Sequence, residues 1–113
     1  MNSATSVFRD QYMDDGAPEM TSAPIPMQGN KAVLAITAIN ISGGTPVFEF
    51  QMQGSYDGAA WIAVGAAKTM NAFGYDSVAQ GSVDTAFLRV RVKKSSGTTP
   101  KILFSASIAM SEQ

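Results

Sequence analysis

Apolar and polar residues alternate along much of this chain. In "VFEFQMQ" (47–53), Phe48, Phe50 and Met52 are set against Glu49, Gln51 and Gln53. That period of two marks a half-buried antiparallel strand. "FLRVRVKK" (87–94) repeats it, with Leu88, Val90 and Val92 on one face and Arg89, Arg91 and Lys93 on the other. In "KILFSASIAM" (101–110), Ile102, Phe104, Ala106, Ile108 and Met110 share a face. "KAVLAITAINIS" (31–42) is rich in β-branched residues and apolar on both faces, as a central strand would be. Shorter candidates are "AWIAV" (60–64), "FGYDSVA" (73–79) and a strand near Ser6–Met13. "GGTP" (43–46) and "SSGTTP" (95–100) read as turns, because glycine and proline punctuate strands there.

No stretch keeps an apolar helical repeat for three turns. Seven or eight strands at hairpin spacing predict an all-β fold: an antiparallel β-sandwich, jelly-roll-like, with a small open barrel as the alternative. The 113 residues suit one domain, able to bury roughly two-thirds of its unfolded surface.

The first thirty residues differ from the rest. They hold Pro18, Pro24 and Pro26, the acids Asp10, Asp14, Asp15 and Glu19, and one base, Arg9. Proline at that density interrupts ladder pairing and favours extended chain. Phe8, Tyr12, Met20 and Ile25 make the stretch too apolar for a solvated tail. Residues 1–30 are therefore expected as an extended N-terminal arm and 31–113 as the sandwich. The arm lies either along its own domain or on a neighbouring subunit, and Phe8, Tyr12, Met20 and Ile25 are its candidate protein contacts.

Composition narrows the chemistry. Histidine and cysteine are both absent, which removes the usual neutral-pH base, thiol nucleophiles, disulfides and the softer zinc or copper ligands. The nine acids are scattered, and there is neither a nucleophile elbow nor a phosphate-binding loop. Asp14–Asp15 lacks the alternating acids of a calcium loop. No catalytic residue, metal or cofactor is expected, and the chain reads as a non-enzyme. Charged residues are only 15% of the chain, which suits a protein that covers part of its surface with a partner. The seven methionines serve equally as core filler or adaptable interface. No basic start with a signal-length apolar run precedes the strands, and no segment is apolar for long enough to span a bilayer. Synthesis in the cytosol and no membrane partner are the expectations.

Two places invite a binding role. "QGSYDGAAW" (53–61) joins two strand candidates, and its Asp-Gly pair is favoured in hairpins because glycine accepts positive φ. It serves either as a hairpin with Trp61 capping the core or as an exposed ligand loop of Tyr56, Asp57 and Trp61. The second place is the basic stripe Arg89, Arg91 and Lys93. Residues 85–101 carry five bases and no acid, against four acids and one base in residues 1–30. The stripe either guards an exposed strand or docks on an acidic partner, such as the arm of an adjacent subunit. A net charge of −1 and no aromatics among the outward bases argue against nucleic acid.

"FEFQMQGSYDGAAWIAV" followed by "FLRVRV" resembles a pattern in discoidin-like β-sandwich modules and in small β-sandwich proteins of tailed-bacteriophage virions, capsid decoration proteins included. The likeness covers Phe48–Val64 and Phe87–Val92, which are scaffold positions, so it carries over no ligand residues. The phage side implies a cement protein on the capsid surface, made in the host cytoplasm. Its partners would be the major capsid protein and copies of itself, most naturally as a trimer. The alternatives are a carbohydrate-binding module using Tyr56, Asp57 and Trp61, or a tail or baseplate component.

Overall fold

The computed structural model describes residues 3–17 and 19–112; Pro18 of the proline-rich stretch lies outside them. All of its regular structure is strand: β1 (Ser3–Asp14), β2 (Glu19–Thr21), β3 (Ile25–Pro26), β4 (Lys31–Ser55), β5 (Ile62–Ala63), β6 (Lys68–Met70), β7 (Gly74–Gln80) and β8 (Phe87–Ser111). Two of these dominate. β4 and β8 each run 25 residues and pair antiparallel from Lys31 opposite Ser111 to Ser55 opposite Phe87.

Halfway along, both strands bend. "GGTP" and "SSGTTP" are therefore not chain reversals, as their composition suggests, but a shared corner inside two continuous strands. Gly43 and Gly97 take φ of 118° and 120°, and Thr45 and Thr99 follow at 48° and 43°. Register shifts there absorb extra residues, and a bulge bends a strand without ending it. The corner divides the sheet into two layers. The upper layer orders β1, the second half of β8, the first half of β4, and β7. The lower layer sets β2 and β3 beside the first half of β8, then the second half of β4, then β5 and β6.

The inward positions expected from the period of two are the core. Phe48, Phe50, Leu88, Val90, Val92, Phe104 and Ile108 are fully buried, joined by Leu34 and Ile36 from the segment apolar on both faces. Each such side chain contributes about 1.5–3 kcal/mol through lost apolar exposure. Phe50 of the lower layer meets Phe104 of the upper edge to face, centroids 5.2 Å apart at 84°. Phe8 of β1 meets Phe104 at 5.2 Å and 65°. Those contacts across the interior make the molecule an antiparallel β-sandwich of jelly-roll character.

The first thirty residues lie along their own domain. β1 pairs with β8, and Phe8 and Met13 enter the core. β2 and β3 extend the edge of the lower layer. Pro26 is tolerated because it sits on an edge strand. Between β2 and β3 the buried Ser22 keeps the ladder closed: its N–H donates to the Val90 carbonyl and its Oγ accepts from the Val90 N–H, both at 2.9 Å. Asn30 donates to the Ser111 carbonyl at 3.0 Å and accepts from Val83 N–H at 2.8 Å, so contacts cross the expected boundary near residue 30. "AWIAV" forms only the two-residue β5, with Trp61 outside it, because just Gln53 and Gly54 pair with it.

Candidate functional site

The loop 53–61 is built around Asp57. Its Oδ1 accepts from the N–H groups of Ala59 and Ala60 at 2.9 and 3.0 Å and from Ser55 Oγ at 3.0 Å. Ser55 Oγ in turn accepts from Gly58 N–H at 2.8 Å, and Gly58 turns the chain at φ 82°. The backbone N–H groups of Ala59 and Ala60, followed by the Ser55 hydroxyl, hold the Asp57 carboxyl below the ordinary carboxylate range. Asp57 is thus a turn-builder whose carboxylate is engaged within its own loop.

Tyr56 stands 63% exposed at the tip, and its hydroxyl donates to Asp84 Oδ1 at 3.1 Å. That hydrogen bond, then the Asp84 charge, raises the phenol's pKa above its usual value. Trp61 does not cap the core. It is half-buried on the outside of the lower layer, with the Arg89 guanidinium 4.2 Å above its ring. Arg89 is fixed there because its Nε donates to Gln53 Oε1 at 2.8 Å. One face of the ring, where a sugar would stack, is taken by the chain's own arginine.

Arg89, Arg91 and Lys93 do lie on one outward face, as the alternation requires, but they have partners. The register puts Gln53 opposite Arg89, Gln51 opposite Arg91 and Glu49 opposite Lys93. Glu49 lies 4.0 Å from Arg91 Nη2 and 3.7 Å from Lys93 Nζ. Gln51 turns away, its Nε2 donating to the carbonyls of Met52, Val64 and Gly65. Lys94 Nζ reaches Asp15 Oδ1 at 2.7 Å. The complementarity between the acidic first thirty residues and the basic strand is here met, at Asp15 and Lys94, within one chain. Glu49 and Gln53 were missed as partners of the stripe, although matching the two alternating segments antiparallel would have found them.

Among the candidate contacts of the N-terminal segment, Phe8 is core, and Met20 and Ile25 are half-buried against it. Only Tyr12 stands open; its hydroxyl donates to Asp14 Oδ2 at 3.0 Å. Partial desolvation, then the Asp14 hydrogen bond and charge, raise its pKa. Among the described residues, no group of three or more acidic side chains is placed to hold a metal ion.

The outer face of the upper layer escaped the sequence reading. Across β8, β4 and β7 its outward side chains include Ala35, Thr37, Ser77, Ala79, Ser105 and Ser107. A shallow groove of about 180 Å³ crosses it beside Tyr75, which is 67% exposed. Between Leu103 and Ala109 of β8, Val33 and Ile39 of β4, and Tyr75 and Ala79 of β7, no outward residue is charged. The β1 rim carries Arg9 and Asp10, one of each sign, with the Asp10 N–H donating to Ser105 Oγ at 3.0 Å. The signal was present in "AITA" and "SASIA", where inward apolar residues alternate with small ones instead of charges.

No protein-family model and no curated protein matches the chain. Solved structures match in fold. A chain of infectious bursal disease virus, Gx strain, superposes with a TM-score of 0.58 at 10% identity, over 97% of this chain and 32% of that one. This chain therefore spans about a third of the viral chain's length. The carbohydrate-binding module CBM4 gives 0.59 at 13% identity over 90% of this chain and 73% of its own. A chain of the Bacillus endospore appendages, disulfide-linked pili, gives 0.52 at 11% identity over 100% and 88%. At such identities the likeness is one of fold: viral, carbohydrate-binding and pilus proteins share this β-sandwich with the chain.

Proposed function

We propose that the chain is a structural protein of a bacteriophage virion, a decoration or cement protein that stabilises the head by bridging capsid subunits. The observation that carries this reading is the uncharged outer face of the upper layer, which no element of the described chain covers. Such a face is suited to burial against protein rather than to chemistry. A sandwich with a virus protein among its fold neighbours supports the same role. The action is burial and clamping, with the major capsid protein and copies of the chain itself as partners. The test is co-sedimentation of the purified protein with capsids that lack it, combined with the rupture temperature of the shells. Retention with a higher rupture temperature is expected; a folded protein left in the supernatant overturns the role.

A second reading, a carbohydrate-binding module, draws on the groove beside Tyr75 and on the CBM4 likeness. A phenol ring next to the hydroxyls of Ser6, Thr37, Ser105 and Ser107 offers stacking and hydrogen bonds to a glycan. Glycan binding that disappears in Tyr75→Ala, with folding intact, would select it.

A further inference from the structure

We infer that the uncharged outer face of the upper layer is a contact between two copies of this chain, related by a two-fold axis. In a two-fold contact the same patch meets itself, so every charge near the axis faces its own like. The outer face of the lower layer sets Arg89, Arg91 and Lys93 against the single acid Glu49, so its image would bring two net-positive patches together. The upper face carries none between Leu103 and Ala109 of β8 and across the facing stretches of β4 and β7, the β1 rim adding only the opposite pair Arg9 and Asp10. Its small side chains let two sheets approach closely. It is therefore compatible with its own image where the other face is not.

Area points the same way. Four strands about 4.8 Å apart, over the seven residues of β7 at about 3.4 Å each, give roughly 450 Å² of face. Phe73, 78% exposed just before β7, lies beyond that rectangle, and burying its ring adds roughly 150 Å². The total of roughly 600 Å² per partner reaches the lower end of the range for stable interfaces. The flat lattice of Ala35, Ser77, Ser105 and Ser107 offers no deep cleft for a side chain from an unrelated protein. A matching sheet fits it better, with the two layers packed face to face about 10 Å apart.

The pair deepens the virion role proposed above by assigning the uncharged face to a second copy, so that the paired unit meets the shell through its other surfaces, and it rests on that role only for its biological setting. The experiment is sedimentation equilibrium of the full chain over a wide concentration range, with far-UV circular dichroism of each variant. The wild type is expected to be a dimer. Ser107→Arg, at the middle of the face, should weaken self-association about a hundredfold or more, because like charges then meet across the axis. Ser77→Arg repeats the test on an exposed edge strand, where folding is not at stake. Thr69→Arg, exposed on the lower layer, should leave the dimer intact. A wild type that stays monomeric, an undiminished dimer in both Ser77→Arg and Ser107→Arg, or equal loss in Thr69→Arg overturns the inference. A monomer that still sediments with capsids overturns the dimer and leaves the virion role standing. A dimer that ignores capsids does the reverse.

Discussion

Gly43 and Gly97 hold the same post in two copies of one corner. A methyl group on Gly43 would lie 2.8 Å from the Thr99 carbonyl oxygen and 2.9 Å from Pro100 Cα. One on Gly97 would lie 2.9 Å from the Thr45 carbonyl oxygen and 2.9 Å from Pro46 Cα. Each glycine thus packs on the Thr-Pro pair of the opposite strand. The motifs "GGTP" and "GTTP" also share their backbone angles, with glycines near 120° and threonines near 45°. Two strands can fold over together only if both bend at the same rung, and this reciprocal fit makes them do so.

Gly43→Ala and Gly97→Ala should therefore each be costly. The new methyl meets backbone, which cannot rotate away, and the φ lies where L-residues are strained. Together these amount to about 2–4 kcal/mol. Gly74 provides the comparison: its φ is 136°, but nothing lies within 4 Å of an added methyl. Gly74→Ala should cost only the backbone term, about 1 kcal/mol. Urea unfolding of the three variants ranks them. A Gly43→Ala no worse than Gly74→Ala would show that the corner is not held by this packing.

Phe104 touches both Phe8 and Phe50, so it joins β1, the upper layer and the lower layer. Phe104→Ala should cost about 3–5 kcal/mol, since a buried ring leaves a cavity the layers cannot close. Its coupling to Phe8 in a double-mutant cycle should be about 0.5–1.5 kcal/mol. Ile62→Ala, at an exposed side chain of β5, should stay within about 0.5 kcal/mol of the wild type. Equal losses at Phe104 and Ile62 would contradict the placement of the core.

Asp57 links stability to pH. Its folded pKa is depressed by the N–H groups of Ala59 and Ala60 and by Ser55. A depressed carboxylate stabilises the fold above its unfolded pKa, and that stability is lost as pH falls through the folded value. The difference in urea midpoint between wild type and Asp57→Asn should stay constant from neutral pH down to the ordinary carboxylate range and shrink below it. A difference that grows on acidification would place the proton elsewhere.

How legible was this molecule beforehand? The inward set was, because Phe48, Phe50, Leu88, Val90, Phe104 and Ile108 follow a period of two that only a half-buried strand explains. The corner was not. Gly-Thr-Pro serves a reversal and a bulge equally well, and only the partner strand, with its own Gly-Thr-Pro across the ladder, decides between them. The partners of Arg89 and Lys93 were hidden for the same reason, being set by register between segments some forty residues apart in sequence. The uncharged face was overlooked because small outward residues carry no chemistry and draw attention only when four strands lie side by side.

Trp61 is the single tryptophan, so its fluorescence reports on one contact alone. The Arg89 guanidinium covers one face of its ring at 4.2 Å and is held in place by Gln53. Arg89→Ala should shift the emission to the red, raise quenching by acrylamide and cost about 0.5–1 kcal/mol. Gln53→Leu should give a smaller change in the same direction, because the guanidinium remains but loses its anchor. Unchanged emission and quenching in Arg89→Ala would mean that the stack is not populated in solution.

Glu49 sits between two bases, 4.0 Å from Arg91 and 3.7 Å from Lys93. Replacing it with glutamine leaves two positive side chains as neighbours on one strand face without an acid between them. Both pairs are partly exposed, so water screens them and the loss should be modest, about 0.5–1 kcal/mol at low salt. Salt distinguishes this electrostatic cost from lost packing: toward 1 M the screening length falls to about 3 Å, and Glu49→Gln should converge on the wild type. Thermal melts at low and high salt supply the measurement. A deficit that persists unchanged in high salt would assign the role of Glu49 to packing and leave the basic stripe without its electrostatic partner.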